Sequence, residues 1–240
     1  MRKFQAIVLT LLISLPVFSQ TTKEKSKYDL AGRPGDHFMI QIGSSQWEGA
    51  PDSIQNKMGT LNRSANIYLM LDKPFKGDPR FSVGFGLGIG TSNIYFKEMT
   101  VDIASQNSTL PFRNTDTTEG FKKFKLTTAF LEIPIEFRFS SNPAKPSKSY
   151  KFALGIKAGT MLNAHTKGKT LQDGSDKTIN DYIRKENSKR YFNTTRIAAT
   201  ARVGYGNFTL FGAYNLTTLF KDGVAPDMKL YQIGLSLSGL

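Results

Sequence analysis

Between residues 81 and 90 every odd position holds a bulky apolar residue (Phe81, Val83, Phe85, Leu87, Ile89), and every even one a glycine or serine (Ser82, Gly84, Gly86, Gly88, Gly90). A strand alternates faces with period two, so one face is continuous apolar surface and the other is nearly bare backbone. A soluble sandwich places polar side chains opposite its core face. A row of glycines suits instead a strand with lipid on one side and a narrow, crowded lumen on the other. The pattern predicts a small membrane β-barrel.

The N-terminus agrees with export. Arg2 and Lys3 precede an apolar run from Ala6 to Phe18, and Val17 and Ser19 occupy the −3 and −1 positions before Gln20. This predicts a signal peptide over residues 1–19, cleaved before Gln20. The run falls short of the roughly 20 residues a helical span needs, and it contains Pro16. Residues 20–36, with the lysine-rich segment Thr21-Thr-Lys-Glu-Lys-Ser-Lys27, are expected as a solvated periplasmic leader, and residues 37–240 as the barrel. The chain has no cysteine, which excludes disulfides, thiolate metal sites, a cysteine nucleophile and a lipoprotein anchor. A mature portion of about 220 residues is one domain's worth. Outside the signal peptide no apolar run is long enough for a helical span, so a membrane location requires a closed barrel.

Alternation and turn signals give eight strands, at 37–47, 62–73, 80–96, 122–140, 150–162, 194–205, 207–218 and 228–238. Links of 74–79, 141–149 and the single Gly206 alternate with longer ones at 48–61, 97–121, 163–193 and 219–227. That beat is expected of an eight-stranded antiparallel up-and-down transmembrane β-barrel, all-β, with short periplasmic turns and long extracellular loops. Outward faces follow from parity: Phe38, Ile40 and Ile42; Ala65, Ile67, Leu69 and Leu71; Leu131, Ile133, Ile135, Phe137 and Phe139; Tyr150, Phe152, Leu154 and Ile156; Ile197, Ala199, Ala201 and Val203; Tyr231, Ile233, Leu235 and Leu237. The seventh strand leaves Phe208, Leu210 and Tyr214 competing with Phe211 for the lipid. Aromatic girdles are expected from Phe38, Phe81, Phe139, Tyr150, Tyr205 and Phe208 at the periplasmic rim and from Trp47, Tyr95 and Tyr231 at the outer rim. Pro134 resists the pattern, because it cannot donate to a ladder and a closed barrel has no free edge. A bulge or a local break in pairing is expected there.

Three segments resemble a known family: Phe130-Leu-Glu-Ile-Pro-Ile-Glu-Phe-Arg138, Lys151-Phe-Ala-Leu-Gly-Ile-Lys-Ala-Gly159 and Gly234-Leu-Ser-Leu-Ser238. Together with the signal peptide they are similar to the PorT-like outer-membrane β-barrel family, in which a Leu-Glu-Ile-Pro-like strand recurs. The resemblance implies an eight-stranded barrel in a Gram-negative outer membrane. Some members are linked to type IX protein secretion, which implies a role in assisting it. No catalytic residues come with the family.

The formal charge is +13, and removing Arg2 and Lys3 with the signal peptide lowers it to +11. Basicity of this size can mark nucleic-acid binding, but an exported chain with dispersed charge is expected to meet outer-membrane lipid and lipopolysaccharide phosphates instead. No nucleic-acid partner is expected. Inward parity brings Glu132, Glu136, Arg138, Lys157, Arg196 and Arg202 into one lumen, which eight strands make just wide enough for side chains to fill. These six are expected to pair and plug the barrel, since an unpaired buried charge is costly. The alternative is a narrow porin-like channel for small solutes. The loop 166–190 carries Lys167, Lys169, Asp173, Asp176, Lys177, Asp181, Arg184 and Lys185, a candidate interaction surface for other envelope or secretion proteins.

Histidine occurs only as His37 and His165, expected a membrane thickness apart, so no metal site and no cofactor are expected. An outer-leaflet lipid-modifying enzyme would need a Ser-His-acid set with His165 as base. The expectation is a non-enzymatic, monomeric structural or interaction protein of the outer membrane.

Overall fold

The computed structural model describes residues 38–239; the expected signal peptide, leader and His37 lie outside the described residues. Its strands are β1 (Phe38–Glu48), β2 (Arg63–Pro74), β3 (Phe81–Phe96), β4 (Met99–Val101), β5 (Phe112–Asn114), β6 (Gly120–Ser140), β7 (Tyr150–Gln172), β8 (Thr178–Asn187), β9 (Thr195–Tyr205), β10 (Phe208–Asn215) and β11 (Lys229–Ser238). A single helical turn, α1 (Asp52–Gln55), sits between β1 and β2. Every pairing is antiparallel. The wall runs β1, β2, β3, β6, β7, β9, β10, β11, and β11 returns to β1 from Met39↔Ser238 to Glu48↔Lys229. The eight-stranded ring is closed, so its backbone groups are satisfied without solvent.

The faces follow the alternation. Ile42, Ile67, Leu69, Phe85, Leu87, Ile133, Ile135, Leu154, Ile233 and Leu235 all stand exposed on the outer wall. Phe208, Leu210 and Tyr214 join them, and Phe211 turns into the barrel. At the short-link end Phe81 packs 5.7 Å from Phe137 and 5.2 Å from Phe139, ring centre to ring centre, and Tyr150 lies 5.1 Å from Tyr205. The expected aromatic rim forms there. At the other end Tyr95 and Tyr231 face outward, but Trp47 does not. It is buried 5.6 Å from Phe96 and 5.8 Å from Phe220, on the inward parity of β1.

Pro134 is accommodated by a gap. β3 and β6 pair at Phe85↔Ile135 and again at Gly88↔Glu132, in one register, but Gly86 and Leu87 have no partners opposite Pro134 and Ile133. The missing N–H therefore falls where the ladder is already open. The bulge in β6–β7 lies elsewhere: Ala129 pairs with Asn163 and Phe130 with Met161, so Leu162 is the extra residue.

The long links carry structure of their own. β7 does not end at 162 as expected but runs on to Gln172 and turns back as β8, whose register with β7 extends from His165↔Asn187 to Gln172↔Thr178. The turn between them is fixed by Asp173, whose Oδ1 accepts from the Ser175 and Lys177 amides at 2.9 and 3.0 Å. The link 97–121 contains the ribbon β4–β5, paired from Met99↔Asn114 to Val101↔Phe112.

Candidate functional site

The middle and lower lumen are filled by a charged network. Glu132 on β6 receives Tyr68 Oη at 2.5 Å and Lys157 Nζ at 3.3 Å, both on Oε2, while Arg196 reaches Oε1. The Arg196 guanidinium also lies 4.0 Å over the Phe130 ring. One turn of the pleat lower, Glu136 accepts from Arg202 Nη2 at 2.6 Å and Arg138 Nε at 2.9 Å. Arg138 Nη1 stands 3.6 Å from Asp72 Oδ1, which also accepts from Ser82 Oγ at 2.7 Å. All six charges expected in the lumen meet, and each of the four cations touches a carboxylate. Asp72 and Tyr68 complete the network. Both lie on the inward parity of β2 with Ser64, Asn66 and Met70.

The glycines of β3 make room for this network. A methyl group at Gly84 would meet Arg138 Nε at 2.3 Å, one at Gly90 would meet Glu132 Oε2 at 2.4 Å, and one at Gly88 the Tyr68 ring at 2.4 Å. The bare face of that strand is thus filled by side chains reaching across from β2, β6 and β9. Two voids lie beside the network, one of about 30 Å³ next to Asp72, Arg138 and Arg202 and one of about 10 Å³ next to Tyr68 and Lys157. The larger has room for about two waters and the smaller for about one at most, far less than a hydrated solute needs.

Above the charges the interior changes character. On β6 the inward parity passes from Glu132 to Phe130, Leu126 and Phe124. These pack with Trp47, Ile94, Phe96, Met161 and Leu230 from the wall and with Ile54, Met99, Val101, Ile103, Leu110, Phe192, Leu219 and Phe220 from the links. The links also latch one another. Leu110 N donates to Val224 O at 2.7 Å, and Asn193 Nδ2 donates to Phe220 O at 2.8 Å. The long-link mouth is therefore closed by an apolar cap.

The eight candidate interaction residues divide. Lys167 and Lys169 stand on β7, Asp181, Arg184 and Lys185 on β8, and Asp173, Asp176 and Lys177 at the turn. Arg184 pairs with Glu186 at 2.5 Å and lines a cleft of about 390 Å³ between this hairpin and the β4–β5 ribbon. His165 lies on the outer wall opposite Thr127 and Asn187, and among the described residues its Nδ1 has no hydrogen-bond partner. Among the described residues no hydroxyl or carboxylate is hydrogen-bonded to it, and no cluster of three His, Asp or Glu side chains could hold a metal ion.

The family model described as "Outer membrane protein beta-barrel domain" matches residues 21–221. The chain belongs to this outer-membrane β-barrel family. Membership, with the closed ladder, places the barrel in the outer membrane; barrels of this kind turn short links to the periplasm and long ones to the exterior. No curated protein matches the chain. Among solved structures, Ail, the attachment invasion locus protein of Yersinia pestis, aligns at 14% identity with a TM-score of 0.35, over 84% of this chain and 94% of that one.

Proposed function

We propose that this outer-membrane barrel is a non-enzymatic, monomeric interaction protein of the Gram-negative envelope, and that it offers β8 to an extended segment of another envelope protein. One observation carries the reading. β8 is the terminal strand of its sheet, paired with β7 alone among the described residues. An open edge is a row of unpaired N–H and C=O groups, the template for strand addition. Ile179, Tyr182 and Ile183 stand exposed along it, giving a partner side chains to grip beside the backbone. The sealed barrel below gives the edge a rigid base. The resemblance to PorT-like barrels supports a secretion component as that partner.

The test is a photo-crosslinking residue at position 181 or 183 in intact cells. The reading expects a recurring partner that disappears when Asn180→Pro and Tyr182→Pro block the edge while the barrel still resists detergent unfolding. The same abundant proteins captured from position 183 and from a periplasmic control at position 145 would contradict it.

A further inference from the structure

One wall of the barrel carries positive charge that no ion pair among the described residues balances. On the outward parity above the apolar band lie Arg63 of β2, Lys123 and Lys125 of β6, Lys167 and Lys169 of β7, and Lys185 of β8. The pairing sets them side by side. Lys125 is directly opposite Lys167, Lys167 opposite Lys185, and Lys123 opposite Lys169. Tyr95, opposite Lys125, sits between two of them, with the Arg63 guanidinium 5.9 Å and Lys125 Nζ 5.8 Å from its ring centre. Like charges directly across a ladder destabilise a sheet, and here three stand in a row.

Among the described residues none of these six cations is in an ion pair. Lys125 Nζ donates at 2.7 Å to the neutral Asn93. The neighbouring acids are engaged elsewhere: Glu186 with Arg184, Glu98 and Asp116 with Lys57, and Asp181 with Thr170. The strip is also one-sided. At the outer rim of the opposite wall stand Glu48, Tyr214, Tyr231 and Lys229, a nearly neutral group.

We infer that this strip binds the phosphate-bearing head of an outer-leaflet glycolipid. Its position selects the ligand. The same strand faces continue downward into Ile67, Ile89 and Leu131, and on β7 into Leu162, so a molecule seated on the lysines would carry its phosphates against them and its acyl chains along the apolar wall. A soluble anion would match the charge but not the apolar surface beneath it. Lysine near an anionic leaflet contributes through summed, screened attraction, which a row of such side chains suits. The inference rests on the membrane placement and is independent of the docking role of β8.

The full chain, reconstituted in phosphatidylcholine vesicles containing a minor fraction of diphosphoryl lipid A, is re-isolated and the co-purifying lipid A measured. The compared proteins are wild type, a strip variant (Lys123→Gln, Lys125→Gln, Lys167→Gln, Lys185→Gln) and a periplasmic control (Lys73→Gln, Lys76→Gln, Lys145→Gln, Lys148→Gln). The expected result is a loss of apparent affinity on the order of tenfold or more for the strip variant, weakening of wild-type retention by salt, and no change for the control. Should the strip variant not fold, the pair Lys125→Gln, Lys167→Gln replaces it, with a smaller loss expected. In phosphatidylcholine alone the strip variant is expected to melt no lower than wild type. Equal retention of dephosphorylated lipid A, equal loss in the control, or complete displacement by inorganic phosphate would overturn the inference, the last by assigning the site to a free anion.

Discussion

Lysine and arginine occupy two regions of this barrel in opposite ways. Inside, Arg138, Lys157, Arg196 and Arg202 each touch a carboxylate, and Tyr68 supplies a further hydrogen bond. On the outer wall, Arg63, Lys125, Lys167 and Lys185 are ranged together without an acid between them. The difference is one of solvent. A charge sealed in a lumen has no counterion but what the chain supplies, and leaving it unmatched costs several kcal/mol. A charge at the membrane surface draws its counterion from the surroundings and is free to wait for one. The inner set therefore serves stability, and the outer set is available for recognition.

Substitutions should sort accordingly. The largest effect is expected from Glu132→Gln, which leaves Lys157, Arg196 and Tyr68 around a neutral amide. A loss of about 3–5 kcal/mol in urea unfolding from vesicles would fit, and near-wild-type stability would blur the contrast. Next comes Gly88→Val. A first carbon there already meets Ile67 O at 2.1 Å, a backbone atom that cannot swing aside, so a loss of about 1–3 kcal/mol is expected in the same assay. On the outer wall the sign reverses. Lys125→Gln should gain about 0.2–1 kcal/mol in purely zwitterionic vesicles by relieving the opposition to Lys167, and lose that advantage when phosphorylated glycolipid is present.

The smallest effect is local and pH-dependent. Lys57 holds Asp116 well below the usual carboxylate range, at about 2, through a direct hydrogen bond, and also pairs with Glu98 at 2.7 Å. Because the folded value is depressed, this contribution is present above the unfolded carboxylate range and is lost as pH falls from about 4 toward 2. Hydrogen exchange at the Lys97 amide, which donates to Lys57 O at 2.8 Å, should show protection at about pH 5 that fades across that window. The barrel amides should be unmoved.

Much of the wall was readable from one-dimensional pattern, because lipid and lumen impose opposite chemistry on alternate residues. Ile133, Ile135 and Phe137 against Glu132, Glu136 and Arg138 already state which face is which. The alternation of short and long links states the up-and-down order. Four features escaped. Asp72 lies on the readable inward parity of β2, but its partner Arg138 is brought near only by closure of β3 between them. The apolar cap is signalled by Met99, Val101, Ile103 and Leu110 in a link that a solvated loop would not populate so densely, yet which residues they meet depends on the links folding back. Trp47 was placed at the outer rim by its chemistry, although its parity with Met39 and Gln41 points inward. The β7–β8 hairpin has a local mark in Asp173-Gly174-Ser175-Asp176, a cluster of turn-forming residues, masked by the charge of the flanking strands.

The direct test of the whole account is electrical. The purified protein inserted into a planar bilayer should give no steady current, because paired charges fill the lumen and an apolar cap closes its long-link mouth. A steady, ion-selective conductance from the unmodified protein would contradict it, whatever the fate of the individual variants.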